Sequence, residues 1–321
     1  MANMQDNFGR EINYMRISIT DRCNLRCAYC MPDGIKGLPH SDILRYEEIL
    51  RIAKATAELG ISNIKVTGGE PFVRKGVLQF LQELKQIPKI NRVTITTNGL
   101  LLGQNINELL KIGIDGINVS LDSLKAPTYH KLTGGGSVET VIEAIKNAAY
   151  AGHKVKINCV PIRGVNDSEI VDITKLAESL PIDIRFIEYM PSNSQNFARV
   201  TGAEIINILK ETYPDLLPDT SYHGQGPAKY FKSPKMQGSV GIIDAFESPN
   251  GCFCPSCNRV RLTSDGFLKL CLFHEKGINL RNIIRNGATD QELQNTISHA
   301  LKQKPEQHDF GNIKNMSQIG G

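Results

Sequence analysis

Six short β-branched runs, at residues 15–20, 64–67, 92–97, 116–121, 155–160 and 182–187, alternate with segments whose apolar residues recur at helical spacing. Residues 46–59 place Ile49, Ile52, Ala53 and Leu59 on one face, and residues 137–151 do the same with Val141, Ala144, Ile145 and Ala148. Strand followed by crossover helix, repeated, allows only a parallel sheet with right-handed connections. The rhythm therefore predicts an α/β fold, an incomplete (β/α)6 TIM-like barrel, over residues 1–200. Past that point the rhythm changes. Thr201 and Glu204 form a capping-box pattern ahead of the apolar run 205–209, and a Pro- and Gly-rich stretch follows at 214–227. Residues 201–321 then mix short strands (240–243, 259–262) with helical patterns (280–285, and from 289 onward), which predicts a smaller α+β region closing the barrel mouth. No internal repeat or low-complexity tract is present.

Of the 321 residues, 40% are hydrophobic and 22% charged, a soluble globular balance that argues against disorder. A formal charge of +4 without any polybasic block fits an anionic small molecule at least as well as a nucleic acid polymer, and charge alone decides little. The first ten residues are polar, and no apolar run approaches the roughly 18 residues a membrane span needs. A soluble, cytoplasmic protein without membrane contact is expected. The eight cysteines are bunched at Cys23, Cys27, Cys30 and at Cys252, Cys254, Cys257, Cys271, with Cys159 alone, which in a reducing compartment favours metal over disulfides.

The first set, Cys23-Asn-Leu-Arg-Cys27-Ala-Tyr-Cys30, follows the first predicted strand with C-x3-C-x2-C spacing. Three thiolates on one loop can hold three corners of a four-iron, four-sulfur cube and leave one iron open for a reactant. A three-cysteine zinc site completed elsewhere is the plainer alternative, although the nearest histidine, His40, lies ten residues on. With Tyr29 just before its last cysteine, the motif resembles the signature of the radical S-adenosylmethionine superfamily. That resemblance implies that the open iron chelates S-adenosylmethionine and that an electron from the reduced cluster releases a 5'-deoxyadenosyl radical. Thr67-Gly68-Gly69-Glu70-Pro71, after the second strand, is similar to the superfamily segment that meets the methionine amino group. Ser120 and Met190 match further cofactor positions. Each of these also admits a plain reading, as a tight turn or a core residue.

The second set, Cys254-Pro-Ser-Cys257 and Cys271, has C-x2-C-x13-C spacing, again without an evident fourth ligand. Spacing alone leaves a zinc ribbon completed by Cys252 open. The segment from Phe253 to Leu272, containing Arg259-Val260-Arg261, resembles the carboxy-terminal motif of the GTP 3',8-cyclase family, the molybdenum cofactor biosynthesis protein A family, and implies a second four-iron cluster. Arg259 and Arg261 alternate along a strand, so both guanidinium groups face one side and can clamp a triphosphate rather than point to solvent. The resemblance runs from Arg16 to Gly321. It implies GTP contacts at Arg16, Lys65, Thr96, Lys156, Arg185, Arg259, Val260 and Arg261. Buried Lys156 and Arg185 are costly unless they meet an anion, the rival being a salt bridge to a carboxylate such as Glu188.

Departures exist. Where the family has Lys-x-Arg, this chain has Asn63-Ile-Lys65, losing one charge and one forked donor. Lys314 stands where the family has arginine. Gly134 to Gly136 lacks a Lys-Ser/Thr ending and is read as a flexible loop, not a phosphate loop. The terminal Gly320-Gly321 matches the family tail that enters the active site. Cys159 is read as a packing residue, and Cys252 stays unassigned.

The resemblance implies hydrogen abstraction from the GTP ribose C3', attack on guanine C8, and formation of 3',8-cyclo-7,8-dihydro-GTP, the first step of molybdenum cofactor synthesis. The product would pass to a cyclic pyranopterin monophosphate synthase. Monomer and homodimer both remain open, as does the reductant. Rival readings are another radical enzyme with an auxiliary cluster, such as a peptide-modifying maturase, and a non-catalytic metal scaffold.

Overall fold

The structure, a computed structural model, describes residues 4–31, 34, 37–190, 197–244 and 253–308. Each predicted strand forms and each is followed by helix: β1 (Tyr14–Ser18), α1 (Tyr46–Glu58), β2 (Asn63–Thr67), α2 (Val77–Lys85), β3 (Arg92–Thr97), α3 (Ile106–Ile112), β4 (Gly116–Ser120), α4 (Ala126–Thr133), α5 (Val138–Tyr150), β5 (Val155–Cys159), α6 (Ile170–Ser179) and β6 (Asp183–Ile187). The six strands lie side by side in chain order, all parallel.

After β6 come α7 (Gly202–Thr212), β7 (Leu217–Asp219), β8 (Lys229–Lys232), β9 (Val240–Ile243), β10 (Arg259–Leu262), β11 (Phe267–Lys269), β12 (Gly277–Asn279), α8 (Leu280–Arg285) and α9 (Asp290–Lys302). The expected capping box is present: Thr201 Oγ1 accepts from the Glu204 amide, and the Glu204 carboxylate accepts from the Thr201 amide. The later region does not pack as a separate sheet. β9 pairs in parallel with β6 and β10 in parallel with β1, so both open edges of the partial barrel are covered. Antiparallel β8–β7 and β11–β12 continue outward, giving one 12-stranded sheet.

Strand alternation sorts the side chains. Met15, Ile17, Ile64, Val66, Val93, Ile95, Ile117, Val119, Ile157 and Phe186 face the helices and are fully or almost fully buried. Cys159 is among them, a packing residue as expected. The intervening positions, Arg16, Lys65, Thr96, Asn158 and Arg185, turn inward. The interior of a closed eight-stranded barrel is packed with branched apolar side chains. Here the inner face is polar and cationic, so the lumen is a ligand cavity. Among the described residues no helix is long and apolar enough to cross a membrane.

Candidate active site

The loop after β1 carries Cys23, Cys27 and Cys30. Its shape is set from outside: the Arg26 amide donates to the Thr133 carbonyl and the Ala28 amide to the Leu132 carbonyl, both at 2.8 Å. Gly134, left-handed at φ 70°, ends α4 against the Arg26 backbone. The Gly134–Gly136 turn thus packs against the cysteine loop. Asn98 Nδ2 donates to Asn24 Oδ1 at 2.7 Å and lies 3.8 Å from Cys23 Sγ.

Burial pushes the Cys27 thiol well up, and Asp122 and then the Cys30 and Cys23 thiols add to the rise. Three sulfurs that feel each other's charge need a cationic group before all can ionise. Among the described residues, however, no three His, Cys, Asp or Glu side chains converge on a single ion. Thiols spread along one cavity wall fit the corners of a polynuclear iron-sulfur group better than one zinc ion. The Tyr29 hydroxyl donates to Asp122 Oδ2 at 2.6 Å, and burial lifts the Asp122 carboxyl to about 6.

Gly68 and Gly69 line the same cavity, but their need for glycine arises behind it. A Cβ on Gly69 would collide with the backbone of Arg22, and one on Gly68 would lie 2.8 Å from the Thr20 carbonyl oxygen. The amides of Gly69 and Glu70 donate to the carbonyls of Thr20 and Arg22 at 2.7 and 2.8 Å. These bonds tie the β2 loop to the approach to Cys23. Gly69→Ala is therefore expected to displace the loop carrying Cys23; total iron retained after anaerobic reconstitution should fall steeply, and unchanged iron content would contradict this role. Glu70 does not reach the cavity. Its carboxylate accepts from the Asn98 amide (2.7 Å), Thr97 Oγ1 (2.9 Å) and the Phe72 amide (3.1 Å), and burial raises it to about 7. It braces the turn that presents Asn98.

The cavity between the strands is about 320 Å³. Arg16, Lys65, Arg185, Arg259 and Arg261 all border it, with Thr96, Ser120 and Met190. Burial first, then the neighbouring cations, brings Arg16 down to about 10, Arg261 to about 9, and Lys65 well below its ordinary value. Like charges so placed await an anion. Thr96 Oγ1, Asn158 Oδ1 and Arg185 Nε are buried with no partner among the described residues, which is how polar groups stand before a ligand arrives. Val260 is fully buried between the two arginines of its strand.

Lys156 is placed differently. It lines a second cavity of about 240 Å³ at the amino ends of the strands, which shares Tyr14, Lys65, Arg185, Gln225 and Gly226 with the first. Its ammonium pairs with Asp183 at 2.6 Å and donates to the His223 carbonyl at 2.6 Å. A salt bridge thus exists, but not to Glu188, which pairs with Arg199 at 3.1 Å.

Cys254, Cys257 and Cys271 border the same cavity as the first set, from the opposite end. Because β10 runs parallel to β1 with Tyr14 opposite Arg259, Cys257 lies just before the amino end of β10, beside the amino end of β1, whereas Cys23 follows the carboxyl end of β1. Cys254 Sγ lies 2.9 Å from His308 Nδ1. Asp122, Asn98, Asn158, Lys304 and His308 also line the cavity, and none of them stood out in the sequence as a candidate site residue. Cys252, Lys314, Gly320 and Gly321 lie outside the described residues.

Residues 17–177 match the Radical SAM superfamily, and residues 182–310 match Molybdenum Cofactor Synthesis C. The chain is 42% identical over 309 residues to a GTP 3',8-cyclase of Clostridium perfringens (strain SM101 / Type A), covering 96% of this chain and 95% of that protein. It is 42% identical over 328 residues to a GTP 3',8-cyclase of Pelotomaculum thermopropionicum, covering 99% and 100%. Among solved structures, Streptococcus suis SuiB bound to S-adenosylmethionine superposes with a TM-score of 0.65 at 15% identity, over 88% of this chain and 67% of that one. Native anSMEcpe with bound AdoMet gives a TM-score of 0.59 at 15% identity, over 92% and 82%. These two likenesses establish the fold, whereas the close, full-length relatives establish more: the chain belongs to the GTP 3',8-cyclase family of radical S-adenosylmethionine enzymes.

Proposed function

We propose that the polar lumen holds GTP between two iron-sulfur centres, one at each end of the strands, and that this arrangement carries the family reaction, conversion of GTP to 3',8-cyclo-7,8-dihydro-GTP in the first step of molybdenum cofactor biosynthesis. The observation that carries the reading is a single cavity bordered by both cysteine sets and by Arg16, Lys65, Arg185, Arg259 and Arg261. In this assignment residues 1–200 supply the cofactor side, with Cys23, Cys27 and Cys30 holding the first cluster. Residues 201–321 supply Cys254, Cys257 and Cys271 for the second. When bound, the reduced first cluster and S-adenosylmethionine supply a 5'-deoxyadenosyl radical.

The chain's own work is binding and orientation. The backbone of Thr67 to Gly69, with Ser120 and Met190, forms the cofactor wall beside the first cysteines. The guanidinium groups of Arg16, Arg185, Arg259 and Arg261 donate paired hydrogen bonds to phosphate oxygens, and Lys65 adds a point charge. Lys65 and Arg185 border both cavities, so a triphosphate held by them extends toward Lys156. Exchanging its Asp183 partner for phosphate would bring Lys156 into the site. Thr96 Oγ1 and Asn158 Oδ1 supply neutral bonds to ribose or base. Binding remote phosphates fixes the ribose relative to the cofactor, which is where rate is gained when no proton transfer by the protein is needed.

We place the enzyme in the cytoplasm, with a cyclic pyranopterin monophosphate synthase as the next protein to handle its product. The test is anaerobic incubation of the reconstituted, reduced protein with S-adenosylmethionine and GTP, assaying 5'-deoxyadenosine and the cyclised nucleotide. Both products, dependent on GTP, are expected. Deoxyadenosine without a GTP product would redirect the reading to another radical substrate, and neither product from fully clustered protein would overturn it.

A further inference from the structure

Lys304 follows the last turn of α9 and is only 2% exposed. Its ammonium donates to the Arg259 carbonyl at 2.9 Å and the Leu270 carbonyl at 2.6 Å. Those carbonyls sit on the two arms that carry the second cysteine set: Arg259 follows Cys257 by two residues, and Leu270 directly precedes Cys271. A buried ammonium ordinarily faces a carboxylate. Among the described residues Lys304 has no such pair; its hydrogen bonds go to the two carbonyls.

Arg10 offers the contrast. It is also buried and reaches the same region, donating to the carbonyls of Cys254 (2.9 Å), Glu306 (2.9 Å) and Pro305 (2.6 Å). Its charge, however, is matched by Asp6 Oδ2 at 2.6 Å. Arg10 therefore brings a neutral pair to the second site, and Lys304 brings a net positive charge. The carboxylates that border the cavity are engaged elsewhere, Asp122 by Tyr29 and Glu188 by Arg199. Among the described residues, the counter-charge left for Lys304 is the second cysteine set. Lys304, Cys257 and Cys271 border the same cavity.

We propose that Lys304 is a positioning residue of the second metal centre: its ammonium supplies a positive charge beside the second cysteine set, and its two carbonyl bonds fix the separation of the arms carrying Cys257 and Cys271. The inference rests on the reading of Cys254, Cys257 and Cys271 as iron-sulfur ligands. One-electron reduction of such a centre by an external reductant adds a negative charge without making or breaking a bond to the protein. A fixed cation beside a ligand sulfur favours that added charge, so Lys304 raises the reduction potential.

The test uses the full chain with Cys23, Cys27 and Cys30 replaced by alanine, reconstituted anaerobically with iron and sulfide so that only the second centre is observed. It is titrated with dithionite and followed by electron paramagnetic resonance, in that background and with Lys304→Met or Lys304→Arg added. The expected result is a lower midpoint potential in Lys304→Met, returned toward the starting value in Lys304→Arg, at equal iron content. Loss of iron in Lys304→Met but not in Lys304→Arg also supports the charge requirement. An unchanged midpoint in Lys304→Met with full iron overturns the proposal, as does loss of iron in both variants, which would make the residue a matter of shape. Absence of iron while Lys304 is still in place would overturn the ligand assignment itself, and is recognised because it precedes any change at Lys304.

Discussion

Cys27→Ala is expected to reduce S-adenosylmethionine cleavage to background, a fall of ~10⁶-fold or more, because what remains is the uncatalysed rate. Burial, then Asp122 and the two neighbouring thiols, raise the Cys27 thiol well above its ordinary value. Only ligation to a cationic centre keeps such a sulfur ionised. Without it two thiolates remain, too few to hold three corners of a cube and leave one iron free. The second cysteine set lies at the other end of the strands and should keep its iron, so total iron should fall from about eight to about four per chain. Deoxyadenosine release after reconstitution, together with iron content, checks both halves. Cleavage persisting at wild-type rate would remove Cys27 from the cofactor site.

Lys65→Met should separate binding from stability. Lys65 lies in the middle of β2, and burial, then Arg185, Arg16, Lys156 and Arg259, hold its ammonium well below the ordinary 10.5. The empty folded protein therefore carries a penalty for keeping it charged. That penalty is full below the lowered folded value and fades as pH rises through it toward the unfolded value. Methionine keeps the length and removes the charge, so the ligand-free variant should unfold at a higher temperature than the parent near neutral pH. The gap should narrow as pH approaches 10.5. GTP binding should weaken at the same time by about 10- to 100-fold, the loss of one charge-assisted contact of ~1.5–3 kcal/mol. Thermal unfolding across pH and equilibrium GTP binding measure the two effects. Unchanged GTP affinity would take Lys65 out of the substrate site.

The loss of the family's Lys-x-Arg at Asn63 and Lys65 reads differently once the lumen is seen. Asn63 is buried at the amino end of β2, where its Nδ2 donates to the Asn13 carbonyl at 3.2 Å and Ser62 Oγ at 3.1 Å. A lysine there would add another cation to a cavity wall already bearing Lys65, Arg92, Lys154, Lys156 and Arg185. The missing charge lessens repulsion in the empty barrel, and the remaining cations border the cavity without it.

Much of the site was legible because its signals are local. A cysteine motif needs only eight consecutive residues, and the capping box of Thr201 and Glu204 only four. The alternation of Met15, Ile17 with Arg16, or Ile157 with Lys156 and Asn158, likewise fixes within a few residues which side chains face the helices and which face the lumen. Glu70 and the glycines before it were visible as a motif, but their work was not. Glu70 braces Asn98, and Gly69 makes room for the Arg22 backbone, because the loops after β1, β2 and β3 meet there in space.

By itself, then, the sequence determined the strand and helix periods, the polarity of the inner face, the grouping of the cysteines into two sets and the family. Tertiary structure decided what those pieces do together. The docking of β9 on β6 and β10 on β1 depends on backbone groups left unpaired at the edges of the six-stranded sheet, which no local period encodes. That pairing sets the cysteine sets at opposite ends of one cavity, gathers cations from β1, β2, β6 and β10 around it, and brings Lys304 against strand ends distant in sequence. Charge acts through space, so its consequences appear only when the chain has closed on itself.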